Sequence, residues 1–359
     1  MTSPEKYTGI AVIKGQDWTH PKKIQFEPKH FDDNDLELKV ICCACCGSDV
    51  HTASGNWGEL SDSQVVGHEI VATVTKIGPK CTKGFKIGDR VGVGAQVWAC
   101  LKCDRCKADN EAYCPHWVST YARKYADGYT SQGGYANYVR VHEHFVVSIP
   151  ENIPSELAAP LMCGGLTVYS PLVRNGCGPG KKVGILGIGG IGHMGLLLAN
   201  AMGADVYAIS RSSAKKEDAT KLGAHHFIAT KEEPDWFEKY YDTFDLIVIC
   251  AGSLTDIDFS TLPNVMKVGG RIVSIAIPDQ SQMLTMKPFG LAGVSIANSH
   301  LGSMKELDQL VKLVSEKNVK VWVETVPIGE QGVHEVFTRM VKGDVRYRFT
   351  FTDFDKEFD

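Results

Sequence analysis

Up to about residue 155, the chain alternates short apolar segments with glycine and proline. Segments of this kind are 70–77, 90–93 and 135–149. Short apolar runs punctuated in this way are typical of small antiparallel sheets. We therefore expect a compact, mostly antiparallel β domain in this part of the chain.

From about Glu156 the pattern changes to buried strands separated by helices. The apolar runs are 182–186, 206–209, 227–229, 246–250, 272–277 and 294–297. Helix-like stretches separate most of them, among which are 213–222 and 256–267. Alternation of this kind predicts an α/β domain with a doubly wound parallel sheet, the Rossmann arrangement.

The last part of the chain begins with an amphipathic helix over 305–316. The apolar residues that recur there at helical spacing are Leu307, Leu310, Val311 and Val314. The β-type segments that follow, 319–326 and 346–352, are too short for a core of their own, so we expect them to rejoin the first domain. The predicted domains are 1–157 with 299–359, and 158–298.

Composition excludes several classes of protein. The 359 residues include 38 Lys and Arg against 42 Asp and Glu, a net charge of −4, and 43% of the residues are apolar. This balance argues against a scaffold for polyanions, which needs a concentrated basic face. A normal globular mixture also argues against disorder, collagen and coiled coil.

Twelve cysteines are many for a chain whose first residues show no apolar core of a signal peptide. The segment 183–204 has no charged side chain, but glycines cluster at one end of it, as in a strand, turn and buried helix rather than a membrane span. We therefore expect a cytoplasmic protein without a membrane segment. Reducing conditions there make thiol metal ligands more plausible than disulfides.

A glycine-rich turn follows the strand predicted at 182–186. It reads Gly187-Ile188-Gly189-Gly190-Ile191-Gly192 and opens the helical run that follows. In this context Gly187 permits a tight turn, Gly189 permits close approach of a pyrophosphate, and Gly192 permits close helix–strand packing. The helix N-terminus adds N–H groups and a positive dipole end. The turn predicts a dinucleotide site, and a glycine-rich packing turn is the alternative.

The end of the second strand of this domain bears on the choice of nucleotide. Sites that prefer NAD usually carry an acid there, whereas this chain has Ser210 and Arg211, with Lys215 close behind. The nearest acid, Asp205, lies at the opposite end of the strand. Two cations and a hydroxyl suit the 2′-phosphate of NADP(H), which we therefore predict. A serine helix cap followed by solvated lysines is the alternative.

Four cysteines lie close together in the spacing C-x2-C-x2-C-x7-C. They are Cys100, Cys103, Cys106 and Cys114, within a lobe at about 96–116. Four thiolates can close a tetrahedral zinc cage without an open position, which describes a structural site. An iron–sulfur cluster and unmetallated thiols remain as alternatives, although bacterial ferredoxins place three residues, not seven, before the last cysteine.

A second set of metal-binding side chains is dispersed. It consists of Cys46, His68 and Cys163, and Cys42, Cys43 and Cys45 compete for the first place. Spacing alone decides nothing here, because a single cysteine is more often a small buried hydrophobe. The residues by themselves leave a metal site and an ordinary core equally open.

At this point the sequence resembles the zinc-dependent medium-chain alcohol dehydrogenases, and among them the NADP-dependent cinnamyl alcohol dehydrogenases of the broad-specificity fungal type. The resemblance runs essentially end to end. Its most specific marks, besides the four-cysteine lobe and the glycine turn, are Cys46-Gly47-Ser48-Asp49-Val50-His51, Gly67-His68-Glu69, Gly88-Asp89-Arg90-Val91 and Asp344-Val345-Arg346-Tyr347-Arg348-Phe349. It implies a GroES-like catalytic domain beside the Rossmann domain, and two zinc ions per subunit.

The resemblance also implies roles for the residues around the dispersed set. Cys46, His68 and Cys163 would hold the catalytic zinc and leave a fourth position for water or substrate. Asp49 would accept the free ring N–H of His68 and fix its tautomer. Glu69 would support the same ligands or approach the metal during ligand exchange.

Proton transfer and cofactor contacts follow from the same resemblance. Ser48 would hydrogen-bond the substrate oxygen, and a proton would leave through the nicotinamide ribose to His51. Thr167 would contact the cofactor. Because Gly47 replaces the Arg or His of many NAD-linked relatives, Arg348 is a candidate for the cofactor phosphates, with a surface cation as the alternative.

The resulting hypothesis is an enzyme that interconverts small-molecule alcohols and aldehydes, namely aromatic or longer aliphatic primary alcohols. A polyol or secondary-alcohol dehydrogenase is the alternative within the enzyme class, and an inactive zinc-bearing binding protein is the alternative outside it. Acidic side chains offset the basic ones in the four-cysteine lobe, so we expect no nucleic-acid partner. A homodimer joined through the nucleotide domains is what the family implies.

Overall fold

The computed structural model describes residues 4–60, 62–252, 257–276 and 284–358. The chain divides into two compact units. Unit 1 is Met1–Cys163 with Ser303–Ser315 and Trp322–Asp359, and unit 2 is Gly164–Gly302 with Glu316–Val321. The predicted boundaries, after residue 157 and before residue 299, lie a few residues before these, and the return of 316–321 to unit 2 has no counterpart in the prediction.

Strands dominate unit 1, and strands alternate with helices in unit 2. In chain order the strands are β1 (Tyr7–Ile13), β2 (Lys22–Phe26), β3 (Asp35–Cys45), β4 (Ser63–Val65), β5 (Glu69–Ile77), β6 (Arg90–Val93), β7 (Gln96–Trp98), β8 (Val118–Ser119), β9 (Tyr138–His142), β10 (Val146–Ser148), β11 (Lys182–Leu186), β12 (Asp205–Ser210), β13 (His226–Ala229), β14 (Phe244–Ile249), β15 (Met266–Ser274), β16 (Ser295–Asn298), β17 (Val323–Pro327) and β18 (Arg348–Thr352). The helices are α1 (Gly47–Ala53), α2 (Asp104–Lys107), α3 (Ser155–Ala158), α4 (Gly164–Arg174), α5 (Gly192–Ala201), α6 (Lys216–Lys221), α7 (Trp236–Lys239), α8 (Lys287–Ala292), α9 (Met304–Lys317), α10 (Glu330–Lys342) and α11 (Phe354–Phe358).

The main sheet of unit 1 has the strand order β10-β6-β5-β3-β18-β17, and β9 also pairs with β3. All of these pairs are antiparallel except β17 with β18. β18 lies between β3 and β17, so the β-type tail does rejoin the first domain. The mostly antiparallel domain predicted from the apolar pattern is therefore confirmed.

Aromatic rings fill much of the core of unit 1. Tyr135 and Phe351 are fully buried, and their rings meet edge to face with centroids 4.9 Å apart. The Tyr135 ring also lies 6.4 Å from Phe337 of α10. Large rings in such contacts bury much apolar area and fix the position of the strands that carry them.

Unit 2 contains a six-stranded sheet within the described residues. Its order is β13-β12-β11-β14-β15-β16, and every pair is parallel. This order places the first strand beside the fourth and is that of a doubly wound nucleotide-binding fold. The strand–helix alternation predicted from the sequence is confirmed.

One predicted helix is wrong. The stretch 256–267 contains only a short 3-10 turn at Leu262–Val265, after which β15 begins at Met266. Pro263 and the β-branched residues that follow favour a turn and a strand over a continuous helix. Residue 256 and residue 277, where predicted elements begin and end, lie outside the described residues.

The helices are short in the described parts of the chain. None of them combines the length and the apolar character that a bilayer crossing requires. The run 183–204 forms β11, the glycine turn and α5.

Candidate active site and metal centres

Cys46 lies where β3 ends and α1 begins. Its backbone N–H donates to Asp49 Oδ2 over 2.8 Å, and its carbonyl accepts from the Asp49 N–H over 3.0 Å. Reciprocal bonds of this kind satisfy the free groups at a helix N-terminus. They fix Cys46 at the start of a helix that also carries Ser48 and His51.

Strand register brings the remaining residues to the same place. Ala44 of β3 pairs with Glu69 of β5, and Cys45 pairs with Phe349 of β18. The end of β3 therefore lies between the starts of β5 and β18. His68 directly precedes β5, and Arg348 is the first residue of β18. The two residues therefore lie on either side of the end of β3, where Cys46 follows.

The turn before His68 needs glycine. Gly67 has φ +98°, and a Cβ there would lie 2.4 Å from the Tyr135 ring. A side chain would thus be strained and would clash with a fully buried ring. Gly67 lets the chain pass Tyr135 and present His68 to the cluster.

Four buried side chains converge in unit 1. Ligand atoms of Cys46, His68, Glu69 and Cys163 all lie within 4.8 Å of one another. The Nε2 atom of His68 is buried and has no hydrogen-bond partner in the part of the chain that the structure describes. An orphaned imidazole nitrogen beside two thiols is the donor set of a catalytic zinc site. The residues present therefore fit the metal.

Charge within this cluster is balanced internally. Glu69 forms an ion pair with Arg348, and both side chains are buried. Burial raises the pKa of Glu69 to about 7, although Arg348 opposes the shift. The hydrogen bond from the Cys163 thiol holds the pKa of Cys46 well below its usual range. The contact between the two thiols therefore favours a thiolate in this pair, and the thiolate is the form that binds metal.

Ser48 and His51 both lie on α1 near the cluster. The Ser48 Oγ atom is 3.7 Å from the Cys46 sulfur, so its hydroxyl lies beside a metal ligand. The His51 ring stacks on Trp57 with centroids 5.0 Å apart and 6° between the planes. Both side chains are partly exposed, which suits groups that exchange a proton with a substrate or with water.

The four-cysteine lobe forms a second cluster. Its sulfur–sulfur distances are 3.5 Å for Cys103–Cys106, 3.6 Å for Cys114–Cys100 and 4.0 Å for Cys100–Cys106. Zinc–sulfur bonds of about 2.3 Å in a tetrahedron place the sulfurs about 3.8 Å apart. An iron–sulfur cluster spreads its cysteines over several irons. The spacing therefore fits a single structural zinc.

In the glycine turn of unit 2, a Cβ atom would fit at one glycine but not at two others. A Cβ on Gly187 would lie 2.7 Å from the Ala251 nitrogen, and a Cβ on Gly192 would lie 1.9 Å from the Gly187 oxygen. At Gly189 no atom of the described residues, apart from its chain neighbours, lies within 4 Å of the corresponding position. Gly187 and Gly192 are thus required by packing, and Gly189 leaves space for a ligand at the start of α5.

The predicted phosphate-binding side chains follow β12 directly. Ser210 ends the strand, Arg211 is exposed, and Lys215 lies in the 3-10 turn before α6. The Lys215 ammonium donates to the Ile188 carbonyl over 2.7 Å. The Lys215 ammonium is therefore held against the glycine turn.

The structure brings together all the residues predicted as metal ligands, in the two predicted groups. Arg348 lies there as well, paired with Glu69, and its predicted contact with cofactor phosphates stays a prediction. Thr167, on α4 of unit 2, is half-buried. Sequence reasoning missed two tyrosines: the Tyr121 hydroxyl is 3.0 Å from His68 Nδ1, and the Tyr135 hydroxyl donates to Asp49 Oδ2 over 3.2 Å.

Comparison with known proteins identifies relatives over the full length. NADP-dependent alcohol dehydrogenase 6 of Saccharomyces cerevisiae is 67% identical, covering 100% of this chain and 99% of that protein. Among solved structures, a cinnamyl alcohol dehydrogenase (SbCAD4) of Sorghum bicolor is 32% identical with a TM-score of 0.90, covering 98% of each chain. A cinnamyl alcohol dehydrogenase (CAD) of Helicobacter pylori, complexed with NADP(H), is 28% identical with a TM-score of 0.88, covering 98% of this chain and 99% of that one.

Two family models match as well. The alcohol dehydrogenase GroES-like domain matches residues 32–151, and the zinc-binding dehydrogenase model matches residues 190–316. The predicted combination of a GroES-like domain with a Rossmann domain is thereby confirmed. Because the identity to a curated relative reaches 67% over the whole chain, the chain belongs to the zinc-dependent medium-chain alcohol dehydrogenases.

Proposed function

We propose that this enzyme is an NADP(H)-dependent alcohol dehydrogenase and aldehyde reductase for aromatic, cinnamyl-type, and medium-to-long aliphatic primary alcohols. The observation that carries the proposal is the buried donor set of Cys46, His68 and Cys163 with the Ser48 hydroxyl beside it. The names of the yeast and sorghum relatives support the cofactor and the substrate class.

Cys46, His68 and Cys163 would hold the metal in unit 1. Zinc bound there would supply a Lewis acid for the oxygen of the substrate. Two thiolates offset its charge and leave a moderate acid that can release product. Arg348 pairs with Glu69 and so holds that side chain beside the three ligands.

Ser48 and His51 handle the proton. The Ser48 hydroxyl, next to the Cys46 sulfur, donates to the substrate oxygen in reduction and accepts from it in oxidation. His51 lies three residues further along the same helix, is also partly exposed, and exchanges the proton with solvent. Stacking on Trp57 keeps its ring in one plane.

The glycine turn and the residues after β12 would bind the cofactor. NADPH supplies the hydride that the carbonyl carbon receives. Gly189 leaves space for the pyrophosphate, and α5 offers its first N–H groups. Ser210, Arg211 and Lys215 would bind the 2′-phosphate through charge-assisted bonds.

Steady-state kinetics test this function directly. We expect kcat/KM for cinnamaldehyde to be about 100-fold or more higher with NADPH than with NADH, because two charge-assisted bonds to the 2′-phosphate contribute about 1.5–3 kcal/mol each. Cinnamaldehyde should also exceed a ketose such as fructose. A preference for the ketose would favour the polyol dehydrogenase, and no turnover with a full complement of zinc would favour the inactive binding protein.

A homodimer joined through unit 2 is part of the proposal. β16 ends the parallel sheet, and no strand of the described residues covers its outer edge. Nearby, Leu291 of α8 and Val268 are 80% and 85% exposed. The Gly269 N–H donates to the Gly293 carbonyl over 2.9 Å, which places the segments that carry Val268 and Leu291 side by side. An open edge flanked by apolar side chains favours pairing with a second copy.

Sedimentation measures this assembly. The wild-type chain should sediment as twice 39.3 kDa, and Leu291→Lys should shift the mass toward the monomer because a buried cation is costly. Val341→Lys, at an exposed apolar position of α10 in unit 1, is the matched control and should remain dimeric. A wild-type monomer at micromolar concentration contradicts the dimer and leaves the catalytic proposal intact.

The cytosol is the proposed location. All twelve cysteines are free thiols in the structure. Zinc-binding thiols persist where cysteines are kept reduced, as they are in the cytosol.

A further inference from the structure

Two buried tyrosine hydroxyls face the polar groups behind His68. Tyr121 is 6% exposed and Tyr135 is fully buried. The Tyr121 hydroxyl lies 3.0 Å from His68 Nδ1, and the two rings have centroids 5.3 Å apart. Burying a hydroxyl costs free energy of folding unless the hydroxyl is hydrogen-bonded. The hydrogen-bond partners of these two hydroxyls therefore indicate their role.

The chemistry of the imidazole decides which nitrogen carries hydrogen. Nε2 of His68 is the atom that would meet the metal, so it must be free of hydrogen. The neutral ring then holds its hydrogen on Nδ1. Two acceptors lie in reach of that atom: Asp49 Oδ1 at 3.2 Å and the Tyr121 oxygen at 3.0 Å. Both therefore favour the tautomer that binds metal.

Asp49 is heavily shared, which makes the second acceptor important. Its Oδ2 atom accepts from the Cys46 N–H and the Tyr135 hydroxyl, and its Oδ1 atom accepts from the Gly67 N–H over 3.1 Å. A carboxylate with this many donors is fixed in place and offers His68 Nδ1 one acceptor at 3.2 Å. The Tyr121 hydroxyl offers a second acceptor at the shorter distance of 3.0 Å, so the two contacts together set the orientation of the ring.

Tyr121 is itself held from two sides. The side chains of Asp49 and Thr52, both of α1, lie near its hydroxyl, which also contacts His68 Nδ1. The hydroxyl therefore lies between the His68 ring and the helix that follows Cys46.

We propose that Tyr121 is a positioning residue for the catalytic zinc, whose hydroxyl fixes the tautomer and the ring plane of His68. This inference rests on the proposed zinc site but assigns a residue outside its ligands. Tyr121 touches neither substrate nor cofactor in this role. Its effect is on the affinity and geometry with which the metal is held.

Tyr121→Phe removes one hydroxyl and keeps the ring. The matched control is Tyr7→Phe, because Tyr7 is also buried in unit 1 and donates to a buried carboxylate, Glu37, over 2.6 Å. Both variants should fold with similar losses of melting temperature. Only Tyr121→Phe should weaken zinc binding, by about 10-fold, the lower end of what loss of a partner behind a metal ligand causes.

The measurement is zinc affinity of the purified full-length chain, by competition with a fluorescent chelator, and the visible spectrum of the cobalt-substituted enzyme. We expect a weaker second zinc and a changed cobalt spectrum in Tyr121→Phe alone. An affinity within twofold of wild type, or an equal loss in Tyr7→Phe, overturns the inference. The proposed function is tested separately, by the turnover of the wild-type enzyme.

Discussion

Replacement of Cys163 by alanine is expected to abolish turnover while the fold persists. The variant loses one of two thiolates from a cluster whose ligand atoms all lie within 4.8 Å of one another. Without the metal the carbonyl is no longer polarised, a loss of several kcal/mol that corresponds to a fall in kcat/KM of about 1,000-fold or more. Bound zinc should fall from two ions per chain to one, measured by elemental analysis beside the kinetics.

Two other cysteines separate this effect from a general loss of thiols. Cys42 is buried in β3 outside either cluster, so Cys42→Ala should retain its activity and both ions. Cys103→Ser should lose the other zinc, and its first effect should be a lower melting temperature, because that lobe is stabilised by its metal. Substantial turnover in Cys163→Ala, with two zinc ions retained, would contradict the ligand assignment.

Replacement of Arg211 by alanine is expected to raise KM for NADPH by about 10-fold to 100-fold and KM for NADH by less than about twofold. The guanidinium follows β12 and would form a charge-assisted bond to the 2′-phosphate, which only NADPH carries. Removing Lys215 as well should enlarge the difference, because its ammonium is held at the Ile188 carbonyl of the glycine turn. Cofactor titrations at saturating aldehyde measure both constants.

The control for charge is Lys221→Ala. Lys221 lies at the other end of α6, where it pairs with Glu217 over 2.6 Å, so its loss changes the net charge equally without touching the glycine turn. Its two Michaelis constants should match those of the wild type. Equal increases for NADPH and NADH in Arg211→Ala would refute the 2′-phosphate role.

Local motifs could be predicted from the sequence because the residues that act together are neighbours in the chain. The four cysteines of the lobe lie within fifteen residues, and their spacing favours the zinc that their sulfur–sulfur distances fit. The turn from Gly187 to Gly192 is similar, since a strand, a turn and a helix follow in order. Hydrophobic rhythm likewise indicated the parallel sheet of unit 2.

Residues joined by strand register could not be found from spacing. Cys163 was assigned only through the family resemblance, because 95 residues separate it from His68. The pairing of Arg348 with Glu69 depends on β18 lying beside β3, which no local pattern specifies. Tyr121 belongs to no motif, and its role is visible only from the distance between its hydroxyl and His68. The helix predicted at 256–267 was wrong because Pro263 and the β-branched residues that follow it favour a turn and a strand.

The insertion of β18 beside β3 has a consequence for biosynthesis. Cys46 and His68 leave the ribosome early, but the strand that carries Arg348 is made only after the whole of unit 2. Until then the edge of β3 at Cys43–Cys45 is uncovered, and Glu69 lacks its counter-ion. The nucleotide-binding unit can therefore mature during translation, whereas the catalytic unit matures afterwards, so its nascent sheet is the part of the chain that needs protection from premature pairing.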